Sequence, residues 1–188
     1  MHPQRFKVLV EEVHRKWLST VFGGIGHHAN GIDLRAAHFG IELKGRMREF
    51  YLRDGTVRHC HERFTLHDEQ VEHFQRVYGS HLELFFCFLR YSLRRPVCSL
   101  PAEQHDVEKF IYDREAWFVP WAFADTYPVS SGTRVPYRYV PFCEVVAYAT
   151  QENFRRVDYA DAHLHVPRAS PLEHVLDPST VPEEDIPF

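Results

Sequence analysis

A glutamate and a lysine lie two residues apart in the segment 31–46, which reads GIDLRAAHFGIELKGR. Side chains on a β-strand alternate between two faces, so Glu42 and Lys44 would share one face. The apolar neighbours Ile41 and Leu43 would point to the opposite face. This spacing predicts a polar site on the surface of a buried strand.

A second carboxylate precedes this pair in the sequence. If residues 31–35 and 39–45 form neighbouring strands, Asp33 and Glu42 converge, and two carboxylates with a strand carbonyl suit Mg²⁺. Such an ion acidifies a water molecule and offsets the charge of a phosphate. Lys44 would hold the attacking water or stabilise the developing charge as a cation. The alternative is a surface hairpin with ordinary charges, because a Glu-x-Lys sequence is common by chance.

The pattern GID followed by IELK resembles the catalytic core of the PD-(D/E)XK nuclease superfamily. The resemblance implies a metal-dependent DNA nuclease of DNA repair, recombination or restriction that hydrolyses phosphodiester bonds with Mg²⁺, or with Mn²⁺. Carried over residue by residue, Asp33 and Glu42 would bind the metal and Lys44 would assist the water. Ile32 stands where many members have proline, and the segment 47–63 is an insertion relative to the shortest members.

The resemblance also implies further site residues and a fold. Many members add a glutamate from the first helix. The spacing does not decide between Glu11 and Glu12 for this role, and Glu12 is our candidate for the metal site. Gln70 loosely matches a catalytic glutamine on the helix after the lysine strand. The implied fold is a restriction-endonuclease-like core, and a homodimer is expected by analogy with small nucleases that cut two strands.

The order of elements predicts the same class of fold. Apolar residues at helical spacing predict a helix over 4–18, and Asp54-Gly55 predicts a hairpin within 47–63. Thr65 is expected to cap a helix over 66–78 that ends at Gly79. A helix, then strands, a helix and further strands predict an α/β domain with a mixed central sheet flanked by helices.

The second half of the chain is less regular. Residues 81–93 are expected to form a buried strand, and 101–115 to hold a short helix. Pro120 interrupts the apolar run 116–124, which predicts an edge or bulged strand. The segment 137–149 is expected to be a strand or a hairpin.

Composition favours a cytoplasmic protein, and the resemblance implies one that is bacterial or phage-encoded. The chain has 188 residues and 44% hydrophobic residues, enough for one domain with a core. It contains no long apolar run and no secretory signal, so we expect no membrane association. Its four cysteines are widely spaced, which favours reduced thiols over disulfides or an iron–sulfur cluster.

Histidines offer two weaker candidates. A zinc site would combine His59, Cys60 and His61 with His67, but surface histidines are the favoured interpretation. The pair at residues 27–28 precedes Asp33, where a phosphate contact is the alternative to a plain loop.

The end of the sequence forms a second unit. We expect a nuclease-like domain over 1–157 and a largely extended acidic tail over 158–188, which holds one arginine, seven acidic residues and five prolines. The final PEEDIPF resembles the acidic tip of bacterial single-stranded DNA-binding proteins. The resemblance implies that proteins recognising such tips bind Asp185, Ile186, Pro187 and Phe188. The alternative function is therefore a non-catalytic single-stranded DNA-binding or adaptor protein that recruits replication or repair partners.

Overall fold

The computed structural model describes residues 3–23, 25–26, 31–51, 56–59, 62–94, 97, 104–130, 135–151 and 157–158. The predicted tail lies outside these ranges apart from its first residue. The α-helices are α1 (Pro3–Phe22), α2 (Asp68–Tyr78), α3 (Gln104–Phe110) and α4 (Phe142–Gln151). A 3-10 helix spans Trp121–Thr126. The strands of the main sheet are, in spatial order, β1 (Ile25–Gly26), β2 (Leu34–Arg35), β3 (Phe39–Met47), β7 (Glu83–Leu93), β8 (Ile111–Pro120) and β10 (Val157–Asp158). Two further antiparallel pairs are β4 (Glu49–Tyr51) with β5 (Val57–His59), and β6 (Arg63–His67) with β9 (Tyr137–Pro141).

The main sheet is mixed. Strands β3 and β7 run parallel, in a register from Phe39 opposite Glu83 to Met47 opposite Tyr91. The other neighbouring strands of this sheet are antiparallel. A parallel pair requires a crossover connection, and α2 lies in the crossover from β3 to β7. The predicted α/β class with a mixed sheet flanked by helices is confirmed.

Helix α1 packs on one face of this sheet. The apolar stripe predicted from the sequence comprises Phe6, Leu9, Val10, Val13 and Trp17; Leu9 is partly buried and the other four are buried. The His14 ring meets the Tyr91 ring edge-on at 5.0 Å, and Phe22 meets Phe118 at 5.2 Å. These contacts place α1 over β7 and β8.

Helix α2 lies over the opposite face. Phe74 from α2 packs on Trp121, whose indole stacks on Phe86 of β7 at 4.0 Å. Phe86 and Glu42 are paired in register, so Glu42 and Lys44 point toward α2. Strand β7 is buried along most of its length because both of its faces are covered.

Part of one edge of β3 has no strand partner among the described residues, because β2 is short. Strand β2 pairs only with Gly40 and Ile41 of β3. The part of β3 that begins at Glu42 therefore extends beyond its β2 partner, and this is the part that carries the predicted site residues.

Two predicted elements are confirmed with shifted bounds. Helix α1 runs to Phe22, beyond the predicted residue 18. A hairpin does occur within 47–63, as β4 and β5, whereas its predicted turn at 54–55 lies outside the described residues.

The expectation that Thr65 caps a helix is wrong. Thr65 lies inside β6, where residues alternate between exposed and buried, and α2 begins at Asp68 after an uncapped His67. The Asp68 carboxylate instead accepts a hydrogen bond from Arg138 of β9 at 2.6 Å. The helix ends before Gly79 as predicted.

The region around Pro120 also differs from expectation. Pro120 is the last residue of β8, which lies between β7 and β10 and is not an edge strand. The irregularity occurs at the other end of β8, where one extra residue is accommodated opposite β7 between Arg90 and Ser92. Asp113 in that bulge has φ 48°, in the left-handed region. The predicted strand or hairpin over 137–149 is β9 followed by helix α4.

Two further expectations can be compared with the described residues. Cys87 is buried and Cys143 is exposed, both as free thiols. The other two cysteines lie outside the described ranges. No helix in the described part of the chain is long and apolar enough to cross a membrane.

Candidate functional site

Three predicted residues form a hydrogen-bonded triangle on β3 and α2. The Lys44 ammonium donates to Glu42 Oε1 at 2.7 Å and to Gln70 Oε1 at 3.0 Å. The Gln70 amide nitrogen donates to the same Glu42 oxygen at 2.9 Å. Strand alternation directs Glu42 and Lys44 toward α2, and the first turns of α2 carry Gln70 to them. Gln70 thereby fixes the orientation of both charged groups.

Asp33 joins the same site from the loop before β2. Its Oδ2 accepts a hydrogen bond at 2.8 Å from the backbone amide of Leu43, the residue that follows Glu42. Its Oδ1 accepts one from the Arg15 guanidinium at 2.5 Å. The predicted convergence of Asp33, Glu42 and Lys44 is present in the structure.

The electrostatics of the pair of carboxyls follow from their burial. Asp33 and Glu42 are only 7% and 4% exposed. Burial raises the pKa of Glu42 to about 7, and Asp33 adds to the rise through its charge and a hydrogen bond. The charge of Lys44 and its hydrogen bond lower the pKa of Glu42 and so oppose this rise. Arg15 and Lys44 thus balance two acidic groups that would otherwise repel each other.

One carboxylate oxygen of this site has no hydrogen-bond partner among the described residues. Glu42 Oε2 is buried and accepts no hydrogen bond from the residues that the structure describes. A buried carboxylate oxygen without a donor is costly, and a cation is one ligand that would satisfy it. The donors present, two carboxylates beside an exposed cavity, are oxygen ligands of the kind that Mg²⁺ prefers.

The number of side-chain ligands limits which metals fit. The described residues contain no group of three or more His, Cys, Asp or Glu side chains placed to hold one ion. Structural zinc sites normally need four protein ligands, whereas Mg²⁺ usually binds one or two carboxylates and keeps several waters. Asp33 and Glu42 therefore fit Mg²⁺ or Mn²⁺ better than Zn²⁺. An ion there would have to share Asp33 with Arg15.

The site opens into a cavity of about 1470 Å³ between α1 and α2. The open part of β3 forms its floor, and α1, α2 and β6 form its walls. The lining contains four acidic side chains, Glu11, Asp33, Glu42 and Glu69, against five Lys and Arg side chains, which are Lys7, Arg15, Lys44, Arg46 and Arg76. Arg15 and Lys44 pair with Asp33 and Glu42, so Arg46 and Arg76 would supply positive charge to an anionic ligand.

The helix-1 glutamate at the cavity is Glu11. Glu11 lines the cavity and lies 3.9 Å from the Arg15 guanidinium, while Glu12 does not line it. The structure therefore does not bring our candidate Glu12 to the other site residues. Lys7, Glu11 and Arg15 follow one another at intervals of four residues and form a charge ladder on one helix face. That alternation was readable in the sequence and would have favoured Glu11 over Glu12.

Arg15 and His14 were not among the residues predicted from the sequence. Arg15 contacts Asp33 across 18 residues, a long-range contact for which the local pattern gives no signal. His14 is buried beside the cavity, and its pKa is lowered to about 3 by burial and by the charge of Arg114. It is therefore a neutral imidazole at physiological pH.

The structure describes only some of the remaining candidate residues, which are the histidines and the C-terminal four residues. His59 and His67 are both exposed, on different strand pairs, while residues 60–61 and 27–30 lie outside the described ranges. The last four residues, proposed for partner binding, lie outside them as well. No protein-family model, curated protein or solved structure matches the chain.

Proposed function

We propose that the protein is a metal-dependent DNA nuclease that hydrolyses phosphodiester bonds in DNA repair, recombination or restriction. The observation that carries the proposal is the meeting of Asp33, Glu42, Lys44 and Gln70 at the floor of one cavity. In particular, Glu42 holds a buried oxygen without a donor among the described residues. That combination suits an ion beside a phosphate better than it suits a structural ion pair.

The arrangement of elements supports a restriction-endonuclease-like core. The site strand β3 pairs in parallel with β7, α1 covers one face, and α2 crosses on the other. The four residues implied by the resemblance come from the loop before β2, from β3 and from α2, as that core requires.

Asp33 and Glu42 would hold Mg²⁺, or Mn²⁺, together with water and backbone oxygen. Such an ion offsets the charge of a phosphate and makes water more acidic. Lys44 lies beside Glu42 and would place its ammonium against a phosphate oxygen or the attacking water. Gln70 holds the side chains of Lys44 and Glu42 in position through its hydrogen bonds to both. Arg15 binds Asp33 and orients that carboxylate.

Cleavage of plasmid, single-stranded and branched DNA tests this function, with Mg²⁺, Mn²⁺ or EDTA. We expect cleavage by the wild type only with a metal ion, and a loss of about 100-fold or more in Glu42→Gln and Lys44→Met. The matched controls are Glu72→Gln and Lys16→Met, which change exposed residues outside the cavity. Equal rates in the site variants and the controls would refute the assignment.

The alternative is a non-catalytic single-stranded DNA-binding or adaptor protein. It rests on the residues Asp185, Ile186, Pro187 and Phe188 and remains a prediction. It predicts no metal-dependent cleavage, and loss of partner proteins when Phe188 is deleted.

A further inference from the structure

One exposed surface next to the cavity carries a row of flat side chains. In the two-stranded sheet of β6 and β9, Thr65 lies opposite Tyr139 and His67 opposite Tyr137. Residues that face each other across a pair of strands share one side of it, and so do alternate residues of each strand. Arg63, Thr65 and His67 therefore lie on the same side as the two tyrosines. We call this side, with its five residues, the ribbon face.

The opposite side of the ribbon is used for packing. Phe64, Leu66 and Val140 are buried there, and Phe64 packs on Phe88 at 4.8 Å. Arg138 on that side donates hydrogen bonds to Asp68 and to the Ala124 carbonyl. These contacts attach the two strands to the rest of the domain through this side. The ribbon face is the opposite side, where a ligand could bind.

The planar groups of the ribbon face form a continuous series of contacts, each group touching the next in space. The Arg63 guanidinium lies 4.4 Å from the centre of the Tyr139 ring. The Tyr139 and Tyr137 rings are 5.4 Å apart, and the Tyr137 and His67 rings 6.0 Å apart. Tyr139 is 36% exposed and the side chains of β6 on this face are exposed. The two ring pairs meet edge-on. Aromatic rings and guanidinium planes are the groups on which unstacked bases rest.

The row leads into the cavity of the candidate site. Thr65 and His67 line that cavity, as does Arg46, whose guanidinium donates to the Arg63 carbonyl. Arg46 lies on β3, two residues beyond Lys44. The ribbon face and the floor of the cavity are therefore continuous.

Charge on this surface also suits a nucleic acid. The ribbon face contains Arg63 and no acidic residue among those described, and Arg46 lies beside it. A polyanion gains from these cations, while its bases gain from the planar groups.

We propose that the ribbon face binds the bases of an unpaired nucleic-acid strand and leads its backbone into the cavity. The inference rests on the proposed nuclease function for the identity of the reacting phosphate, and it narrows the substrate to single-stranded or locally unpaired DNA. A duplex hides the faces of its bases inside the stack, so it cannot use Tyr137 and Tyr139 in this way.

Binding without cleavage tests the inference. Fluorescence anisotropy in EDTA compares a labelled oligothymidine with a blunt duplex of the same length. We expect the wild type to prefer the single strand, and Tyr137→Ala/Tyr139→Ala to lose about tenfold or more of that affinity with little change for the duplex. Tyr139→Phe keeps the ring and should bind as the wild type does.

The chain offers a matched control on another surface. Tyr112 is 37% exposed and lies under the Arg94 guanidinium at 5.2 Å, a similar pair outside the cavity. Tyr112→Ala should leave single-strand binding unchanged. If the double variant does not fold by circular dichroism, Tyr139→Leu keeps an apolar side chain on the strand but removes the plane, and should still weaken binding.

The outcomes separate this inference from the proposed function. Unchanged single-strand affinity in the folded ribbon variants overturns the inference, whether or not the protein cleaves DNA. An equal loss for Tyr112→Ala, or an equal loss of duplex binding, overturns it too. Failure of metal-dependent cleavage refutes the nuclease function alone, because binding in EDTA needs neither the ion nor catalysis.

Discussion

Asp33 illustrates how much can depend on a single side chain. One carboxylate oxygen accepts from the Leu43 amide and the other from Arg15. A change to asparagine keeps the size of the side chain but places an amide donor opposite one of these two donors. Variants of Asp33 would therefore disturb the edge of β3 as well as any metal site. Glu42→Gln is the cleaner test, because Glu42 Oε2 has no protein partner to lose among the described residues.

His14 gives the protein a predictable loss of stability in acid. Its pKa is about 3 in the folded state, against 6.5 when exposed. The unfolded chain therefore binds the extra proton between these values, and stability falls as pH drops below about 6.5. From about pH 7.5 to about pH 5 this contributes a loss on the order of 2 kcal/mol.

Chemical denaturation of the wild type and His14→Phe at these two pH values measures the effect. Phenylalanine keeps an aromatic ring beside Tyr91 and cannot titrate. All other ionisable groups are common to both proteins, so the difference between their pH dependences isolates His14. Identical pH dependences would show that His14 does not remain neutral in the folded protein.

At the scale of elements, two glycines of β3 differ in the space available for a side chain. A Cβ at Gly40 would lie 2.7 Å from Ile32 Cδ1 and 3.1 Å from Leu84 Cδ2, and both side chains are buried. A Cβ at Gly45 would meet His14 at 3.6 Å, an ordinary contact. Gly40→Ala should therefore destabilise the protein by about 1–3 kcal/mol.

Gly45→Ala is the matched control for this substitution. It should be neutral or stabilise by roughly 0.5–1 kcal/mol, because glycine loses more entropy than alanine in a strand. Thermal unfolding of the two variants beside the wild type tests both expectations. Equal unfolding temperatures for the two variants would contradict the close packing of Gly40 against Ile32 and Leu84.

The site could be predicted from sequence where local periodicity determines it. Alternation along β3 placed Glu42 and Lys44 on one face, and the helical spacing of α1 identified its buried stripe. Gln70 was reached only through a family resemblance. The contact between Arg15 and Asp33 depends on how α1 lies against the sheet, which no local pattern encodes.

The errors in secondary structure arose where two local signals competed. Thr65 followed by Asp68 matched a helix cap, while the alternation of Arg63–His67 indicated a strand, and pairing with β9 decided for the strand. In α4, the adjacent Val145 and Val146 after Pro141 mimicked a strand. Burial of Phe142, Val145 and Ala149 on one helix face overrides that propensity.

At the scale of the whole molecule, an ion bound to the folded state alone stabilises it. At a free Mg²⁺ concentration near 100 times its dissociation constant, the gain is about 2.7 kcal/mol. For a domain of this size that corresponds to a rise of roughly 5–10 °C in Tm. Scanning calorimetry with and without Mg²⁺ measures the rise independently of any cleavage.

Glu42→Gln should lose this increment, and Glu72→Gln should keep it. An equal increment in both variants would show that the ion binds elsewhere on the protein. EDTA should return the wild type to its metal-free Tm.

The pairing of β6 with β9 has a consequence for synthesis on the ribosome. A growing polypeptide contains Asp33, Glu42, Lys44 and Gln70 by the time residue 70 has been added. Strand β6, however, finds its partner only after residue 141, and β3 must wait for β7. Contacts so distant along the chain form late. The nascent protein therefore carries the candidate site residues early but acquires the paired strands around them only after residue 141 has been added.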